Sequence, residues 1–282
     1  MRAFNGNHVF QNANPMTGER IYRDNPSAYD AFLQLGGEKP EEIRYLREKM
    51  PVYLKSLLGK ARFRGWNMLD IGCGEGSLTI PVLHILGSFG AVRCTGLEPA
   101  ENQLKKMKQQ AEASGYRKVT CINSGWDDYS PEGKYDFVLC SHSFYYVKDR
   151  SHAVRKIQSV LEPGGRAVIS MQKKDNMSYR MGRRFLTKID PAHKSCVIHA
   201  DQLCEFLAEH GISHRMDTRR YLLDLSESKK QSPQGIRLLE FYLAKKWEDV
   251  TPDTRSAVLD HIARLPDIIE NEVGHIWLGG DA

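Results

Sequence analysis

One segment decides the fold of this chain: residues 66–76, which read WNMLDIGCGEG. Its first half, Trp66–Ile71, is a short apolar run of the kind that forms a buried strand. Its second half is a glycine-rich turn, and a helical pattern follows from Ser77 to Leu86. A strand, a glycine-rich turn and a helix in this order predict one unit of a doubly wound α/β sheet, which binds its ligand at such a turn.

The same alternation of strand and helix continues toward the carboxyl end. The pattern predicts further strands at Ala91–Leu97, Val119–Ile122, Tyr135–Ser141, Arg166–Met171, Tyr221–Leu225 and Glu272–Leu278. It predicts intervening helices at Ala100–Ser114, Ser151–Leu161 and Asp201–His210, the second of them stopped by Pro163-Gly164-Gly165. The chain is therefore predicted to be an α/β protein with a parallel, doubly wound, Rossmann-like sheet of seven strands.

Helical segments flank the predicted sheet. Residues 1–30 are polar and aperiodic and are interpreted as an extended arm, and a helical pattern begins at Pro40. A helical insertion at 232–265 precedes the last strand. We therefore predict a single domain, made of an N-terminal arm and helical lid (1–65), a ligand-binding core (66–225) and a helical insertion with the C-terminal strand (226–282).

The composition excludes several classes of protein. Of 282 residues, 41% are hydrophobic and 27% are charged, which is enough apolar material for a core and excludes a disordered chain. The longest apolar run, Thr79–Val92, contains His84 and is too short to cross a membrane. The net charge of +5 is mildly basic, well below that of a nucleic-acid-binding arm.

The cysteines point to a reducing compartment. The six are scattered without a C-x-x-C pair: Cys73, Cys94, Cys121, Cys140, Cys196 and Cys204. Four of them fall inside apolar runs, as expected for reduced thiols rather than for a disulfide framework. Residues 1–30 contain no apolar stretch typical of a secretory signal. We therefore expect a cytoplasmic protein.

The glycine-rich turn departs from two common phosphate-binding motifs. A dinucleotide fingerprint needs Gly or Ala where this chain has Ser77, and Asp70 is a poor neighbour for a pyrophosphate. A P-loop ends in Gly-Lys-Ser or Gly-Lys-Thr, which is absent here. A glycine-rich turn that binds no ligand stays an alternative.

Asp70-Ile71-Gly72-Cys73-Gly74-Glu75-Gly76 instead resembles motif I of the class I S-adenosylmethionine-dependent methyltransferases. In that family the acidic residue of the motif faces the cationic methionine end of the cofactor. Glu98 ends the second predicted strand, where an acidic residue can accept both ribose hydroxyls. The segments Tyr135–Leu139 and Leu161–Gly165 are similar to the family's signatures at strand four and before strand five.

The resemblance implies S-adenosylmethionine as cofactor and S-adenosylhomocysteine as product. It implies a methyltransferase sheet of seven strands and these cofactor-binding residues: Asp70, Gly72, Gly74, Gly76, Glu98, Gln103, Trp126, Asp127 and Ser141. Trp126 and Asp127 follow strand three, where the family holds the adenine. A tryptophan in the core is the alternative interpretation of Trp126.

The segment after strand four narrows the resemblance. Phe144–Asp149 is similar to the corresponding segment of the histamine N-methyltransferases, as is Glu98–Gln103, and the similarity runs loosely from about Phe32 onward. It implies that His142 replaces a glutamine that contacts substrate and that Tyr145 and Tyr146 line the pocket wall. It implies that Glu38 stands where the family has a glutamate that binds the cationic end of its amine. The predicted catalytic residues are therefore His142, Tyr146 and Glu38.

Two departures make histamine a doubtful acceptor. Gly279-Gly280 stands where the family strand continues with an asparagine that contacts substrate, and residues 176–180 do not match the family's pocket tryptophans. A different small amine or an amino-acid-like acceptor is expected instead.

Each candidate residue also has a structural interpretation. His142 can be a hydrogen-bonded structural histidine, Tyr145 and Tyr146 can belong to the core, and Glu38 can be a solvated residue at a helix start. His193, Cys196 and His199 have a metal-like spacing but no fourth ligand nearby, so no metal is predicted.

Four functions stay open. The first is N-methylation of a small molecule by direct in-line displacement, and the second is O-methylation with His142 as the base. The third is RNA methylation, suggested by a basic cluster of Lys173, Lys174, Arg180, Arg183, Arg184 and Lys188 that has few aromatic residues for base stacking. The fourth is a binding module without catalysis. The expected partner is a small-molecule acceptor, with nucleic acid and membrane disfavoured, and the protein is expected to be a monomer or homodimer.

Overall fold

The computed structural model describes residues 24–58, 65–191 and 197–279. Its centre is a seven-stranded sheet in the order β3-β2-β1-β4-β5-β7-β6. The strands are β1 Trp66–Ile71, β2 Val92–Leu97, β3 Val119–Ile122, β4 Tyr135–Ser141, β5 Leu161–Gln172, β6 His214–Asp224 and β7 Ile268–Leu278. The predicted doubly wound α/β sheet of seven strands is confirmed.

Helices surround the sheet. In chain order they are α1 Pro26–Leu35, α2 Glu38–Tyr53, α3 Lys55–Leu58, α4 Thr79–Gly87, α5 Glu101–Ala113, α6 Arg150–Ser159, α7 Met177–Met181, α8 Thr187–Ile189, α9 Ala200–Glu209, α10 Ser226–Lys229, α11 Pro233–Leu243 and α12 Pro252–Ala263. A π-helical turn, Gly182–Leu186, joins α7 to α8. No helix in the described ranges is long and apolar enough to cross a membrane.

The prediction of a wholly parallel sheet is wrong at one edge. β7 runs antiparallel to both β5 and β6, so the sheet is mixed. β6 begins at His214 rather than Tyr221, and β7 begins at Ile268 rather than Glu272. The two strands pair along their whole length, from His214 opposite Leu278 to Asp224 opposite Ile268. Backbone hydrogen bonds hold β6 and β7 together even where their side chains are polar. The apolar runs in the sequence are therefore shorter than the strands themselves.

Two further boundaries differ from the sequence prediction. α6 ends at Ser159, and Leu161 already pairs with Tyr135 as the first residue of β5, with a register irregularity before the ladder resumes. The predicted extended arm is helical from Pro26 onward, because α1 buries Phe32 and its neighbouring alanines against α11. The rest of that arm, residues 1–23, lies outside the described residues.

Three apolar clusters hold the elements together. Two of them pack the helices onto the opposite faces of the sheet. The third joins α1 to the helices after β5, with Phe32 packed among Met181, Leu239 and Tyr242. The rings of Phe32 and Phe241 stack with centroids 4.4 Å apart. The N-terminal helix and the helical insertion therefore form one layer, which lies over the carboxyl edge of the sheet.

Candidate active site

A cavity of about 560 Å³ lies between this helical layer and the carboxyl ends of β1 to β5. Parallel strands bring distant chain segments to one edge, which is where doubly wound sheets bind their ligands. The following sequence-predicted site residues line the cavity: Glu38, Asp70, Gly72, Gly74, Glu98, Gln103, Trp126, Asp127, Ser141, His142 and Tyr146. Gly76 is the predicted site residue that the wall does not include.

The glycines after β1 differ in their surroundings. All three have a left-handed backbone, with φ of 78° at Gly72, 54° at Gly74 and 91° at Gly76. A Cβ at Gly72 would lie 2.3 Å from the Cβ of Ser143, and one at Gly76 would lie 2.4 Å from the sulfur of Met107. A Cβ at Gly74 would meet nothing within 4 Å. Gly72 and Gly76 thus allow close packing, whereas Gly74 leaves the backbone of the turn open.

Glu98 fastens the glycine turn to the end of β2. One carboxylate oxygen accepts the backbone N–H of Gly74 at 3.0 Å, and the other accepts that of Ala100 at 2.9 Å. Glu98 lines the cavity, and a carboxylate oxygen can accept more than one donor. Gln103, one turn into α5, is buried, and its Oε1 has no hydrogen-bond partner among the described residues. This edge of the cavity therefore presents oxygen acceptors to a ligand with hydroxyl or N–H donors.

Trp126 and Asp127 are held by contacts with α6 and with the loop that precedes it. The Trp126 indole donates to the carbonyl of Ala153 at 3.2 Å, and the Lys156 ammonium lies 4.3 Å from the ring centroid. The Asp127 carboxylate accepts the backbone N–H of Lys148 at 3.0 Å. Trp126 is therefore both a residue of the hydrophobic core and part of the cavity wall.

Asp70 is a buried carboxyl group at the end of β1. It accepts a hydrogen bond from the Thr79 hydroxyl at 2.7 Å, which ties the strand to the start of α4. Burial raises the pKa of Asp70 to about 7, because desolvation of the carboxylate outweighs the hydrogen bond from Thr79. A cationic group in the cavity would favour the ionised form.

At the other end of the cavity, α2 meets the loop after β4. His142 Nε2 lies 3.3 Å from Glu38 Oε1 and 3.8 Å from Glu42 Oε2, close enough to form an ion pair when the ring is protonated. His142 adopts a φ of 52°, a left-handed conformation that is uncommon outside glycine, and its backbone N–H donates to Ser170. Such strain is frequent at functional sites.

A buried ion pair supports this contact. The Lys39 ammonium donates to Glu42 at 3.1 Å and to the Ser141 hydroxyl at 3.2 Å, and that hydroxyl donates to the other oxygen of Glu42 at 2.7 Å. Burial opposes both charges, but their mutual attraction lowers the pKa of Glu42 and raises the pKa of Lys39 beyond their usual values. Both groups are therefore ionised at neutral pH. The Ser141 hydroxyl, predicted to face the cofactor, is engaged by this pair.

Sequence reasoning missed Lys39 and Glu42. An acidic residue in a first helical turn reads as a solvated partner of the helix dipole. The spacing of the residues could have identified Glu42 as buried. Glu38, Glu42, Tyr45 and Leu46 recur at helical intervals and all fall on the buried face of α2. An acidic pair four residues apart on an otherwise apolar face indicates buried carboxylates.

Aromatic side chains form much of the remaining wall at this end: Tyr29, Phe32, Tyr145, Tyr146, Tyr179, Phe241 and Tyr242. The Tyr145 hydroxyl accepts the backbone N–H of Gln172 at 2.6 Å and lies 3.4 Å from His142 Nδ1. Glu38 is buried, and its Oε2 has no hydrogen-bond partner among the described residues. A buried carboxylate beside aromatic faces is a suitable environment for a cationic group.

The residues of the metal-like spacing lie elsewhere. His193 and Cys196 are outside the described residues, and His199 precedes α9, where its ring nitrogen lies 3.2 Å from Asp201. Within the described ranges, no group of three or more His, Cys, Asp or Glu side chains is arranged to hold a metal ion.

The chain is similar to known methyltransferases. A family model described as a methyltransferase domain matches residues 43–213. The chain is 23% identical over 265 residues to the histamine N-methyltransferase of Danio rerio, which covers 88% of this chain and 90% of that protein. It is 25% identical over 170 residues to the ubiquinone biosynthesis O-methyltransferase of Marinobacter nauticus, covering 58% of this chain and 68% of that protein.

Solved structures show the same fold. The plantazolicin methyltransferase BpumL, solved in complex with a pentazolic desmethylPZN analog and SAH, has a TM-score of 0.57 to this chain. The match covers 98% of both chains at 12% identity, so the similarity concerns the fold alone.

Proposed function

The chain belongs to the methyltransferase domain family, and from that premise we propose that it transfers the methyl group of S-adenosylmethionine to the nitrogen of a small amine. The family model and the shared fold identify the chain as a class I S-adenosylmethionine-dependent methyltransferase. The choice of nitrogen as acceptor rests on the buried, aromatic-walled carboxylate of Glu38. Unpaired cysteines in the described part of the chain favour a cytoplasmic location as part of the same proposal.

The residues at the β1–β2 end of the cavity fit S-adenosylmethionine. Glu98 and the unpartnered Oε1 of Gln103 offer acceptors for hydroxyl and N–H donors, and the open backbone at Gly74 admits a ligand at close range. The Asp70 carboxyl group suits the cationic methionine end. When bound, the cofactor supplies a methyl group on a positively charged sulfur. We assign Gly72, Trp126, Asp127 and Ser141 to the surrounding wall, and Gly76 to the packing of α5 against the turn.

At the other end, Glu38 attracts and orients the amine. An amine enters as an ammonium ion, whose charge the buried carboxylate stabilises, but only its neutral form has a lone pair for methyl transfer. His142 Nε2, 3.3 Å from Glu38, is placed to take up the proton that the nitrogen releases. The tyrosines and phenylalanines of the wall exclude water and limit the orientations of the acceptor. The Lys39–Glu42 pair positions His142 through Ser141 and α2.

O-methylation is the second candidate, and one observation favours it. The Nε2 atom of His142 is buried and, although Glu38 Oε1 lies 3.3 Å away, it forms no hydrogen bond among the described residues, so a neutral ring can act as a base for a hydroxyl group. Relatives of this chain include O-methyltransferases as well as an N-methyltransferase.

A screen of matched acceptors distinguishes N-methylation from O-methylation. We expect transfer of labelled methyl groups to small amines and no transfer to alcohols and phenols of the same shape. Glu38→Gln is expected to raise the KM for the amine by about 10- to 100-fold, the value of one charge-assisted hydrogen bond. Glu41→Gln, on the same helix in a more exposed ion pair with Arg44, is the matched control and should leave KM unchanged. N-methylation would be refuted if the enzyme preferred phenols and Glu38→Gln left the KM unchanged.

The pH dependence of cofactor binding tests Asp70. Because burial raises its pKa to about 7, Asp70 becomes protonated as the pH falls through that value and loses its attraction for the cationic cofactor. We expect the affinity for S-adenosylmethionine, measured by calorimetry, to fall by up to about tenfold per pH unit below pH 7. Asp70→Asn should bind weakly at all pH values and abolish this dependence.

The raised pKa of Asp70 has the opposite consequence for the stability of the folded protein without ligand. A carboxyl group whose folded pKa is raised destabilises the folded state as the pH rises from its ordinary value of 3.8 to about 7. Asp70→Asn is therefore expected to melt at a higher temperature than the parent protein when both lack ligand at pH 8. A lower melting temperature would show that the ionised carboxylate stabilises the fold instead.

A further inference from the structure

A second cleft, of about 480 Å³, lies on the outer side of α7 and the π-helical turn. We call it the basic cleft, and its lining residues are Lys174, Asp175, Tyr179, Arg180, Arg183, Arg184 and His261. Four of these side chains carry a positive charge, whereas Asp175 is the one acid among them. The predicted function of the cavity uses none of these residues except Tyr179.

In the described part of the chain, the positive charges of the basic cleft lack acidic partners. Among the described residues, Lys174, Arg180, Arg183 and Arg184 make no ion pair within 4 Å, although the adjacent Lys173 pairs with Asp201 at 2.7 Å. All four are exposed, so they do not serve the core. Like charges that line one cleft repel one another, and a bound anion would relieve that repulsion. The cluster is therefore suited to an anionic ligand.

One helical segment separates the basic cleft from the main cavity. Ser178, Gly182 and Leu186 line the cavity, whereas Arg180, Arg183 and Arg184 line the basic cleft. Tyr179 lines both and is their common boundary. π-helical turns are rare, and those that occur are often found at functional sites. The turn Gly182–Leu186 contributes residues to both the main cavity and the basic cleft.

His261 adds a second observation at the basic cleft. Its Nε2 is a buried atom without a hydrogen-bond partner among the described residues. The ring packs on Phe185 at a centroid distance of 5.8 Å. Burial and the charges of Arg184, Arg180 and Arg264 lower the pKa of His261 below its ordinary value, which favours the neutral ring at pH 7. A ring nitrogen with unused hydrogen-bonding capacity thus lies in the wall of a cationic cleft.

We propose that the basic cleft binds an anionic group, phosphate or carboxylate, at the far end of the acceptor whose amine lies in the main cavity. The acceptor would then be a molecule of opposite charges that reaches past Tyr179 and is held at both ends. The link to the acceptor rests on the proposed function, whereas the anion site itself does not. A small anion fits better than a nucleic acid, because Tyr179 is the only Phe, Tyr or Trp among the described residues that line the cleft, and base stacking needs more.

Calorimetry with inorganic phosphate and with acetate tests the anion site directly in the full chain. We expect phosphate or acetate to bind, and Arg183→Gln/Arg184→Gln to weaken that binding by at least about tenfold. Arg93→Gln/Arg155→Gln, which removes two exposed arginines remote from both clefts, should change nothing. Anion binding should also raise the titration midpoint of His261 in NMR spectra. Absence of binding, or equal loss in both double variants, would overturn the site.

A series of ω-aminoalkyl phosphates and carboxylates tests the link to the acceptor. Compared with plain alkylamines, one chain length is expected to show a KM at least about tenfold lower, and Arg183→Gln/Arg184→Gln should abolish that gain. The same variant should keep its kcat for plain alkylamines and its affinity for S-adenosylmethionine. Comparison of the two series identifies phosphate or carboxylate as the preferred group.

The outcomes distinguish this proposal from the proposed function. Methylation of plain amines without any advantage for charged ones refutes the two-ended acceptor and leaves N-methylation intact. Failure to methylate any amine refutes N-methylation, while phosphate binding is judged on its own. Tight binding of a single-stranded oligonucleotide, with a steep salt dependence that Arg183→Gln/Arg184→Gln reduces, would replace the small anion by RNA.

Discussion

Replacement of Gly72 by alanine is expected to lower the free energy of unfolding by about 2–5 kcal/mol and to abolish measurable binding of S-adenosylmethionine. The new Cβ would lie 2.3 Å from the Cβ of Ser143, and the φ of 78° is unfavourable for any residue with a side chain. Ser143 cannot move away freely, because its hydroxyl donates to the carbonyl of Ile71 and contacts Cys140. The glycine turn would have to shift instead, and Gly74 and Glu98 shift with it.

A matched control separates the clash from the backbone strain. Gly115 has a φ of 82°, but a Cβ there would meet no atom within 4 Å. Gly115→Ala should therefore cost only about 1–2 kcal/mol and leave cofactor binding unchanged. Ser143→Gly removes the colliding atom and should restore part of the stability lost in Gly72→Ala. Denaturant unfolding and calorimetry measure both quantities, and equal effects at Gly72 and Gly115 would contradict the packing argument.

Replacement of Glu42 by alanine is expected to destabilise the protein by about 3–5 kcal/mol, the cost of leaving a buried charge without its partner. Lys39 would lose a carboxylate 3.1 Å away, and the Ser141 hydroxyl would lose its acceptor. Glu42→Ala/Lys39→Met removes both charges and should regain much of that stability. Glu41→Ala breaks the more exposed pair with Arg44 and should cost less than about 1 kcal/mol. Equal loss in the single and double variants would show that the charge itself is unimportant.

The pH dependence of stability gives an independent test of the same pair. Because the folded state lowers the pKa of Glu42, its contribution is complete above the ordinary value of 4.5 and is lost as the pH falls through the lower folded value. Glu42→Ala should therefore lose less stability on acidification than the parent protein. A parallel acid dependence in the two proteins would contradict an ionised Glu42.

The cofactor end of the site is readable from local sequence. Gly72 and Gly74 are consecutive members of one turn, and Glu98 follows the next strand, so strand order alone brings them together. The direction of β7 is not readable in this way. An apolar run identifies a buried strand, but nothing within Ile268–Leu278 distinguishes parallel from antiparallel pairing, because the choice depends on which neighbours are left unpaired at the sheet edge.

The acceptor end depends on contacts between distant residues. Glu42 lies 99 positions from Ser141 in the chain, yet the two share a hydrogen bond. A glutamate near a helix start is solvated by default, and only the packing of α2 against the loop after β4 removes it from water and gives it Lys39 as partner. The same holds for the arginines of the basic cleft, which read as an ordinary exposed helix face until α12 brings His261 against them.

The sequence by itself thus determined the strand-and-helix order of the core and the position of the cofactor loop, because these depend on short-range patterns of apolar residues and glycines. The class of reaction followed from the resemblance of that loop to motif I of a known family. The tertiary structure alone decided which charged side chains are buried, which of them pair and how the cavity and the basic cleft adjoin. The physical reason is that burial sets the strength and protonation of a charge, and burial is a property of elements that pack together from distant parts of the chain.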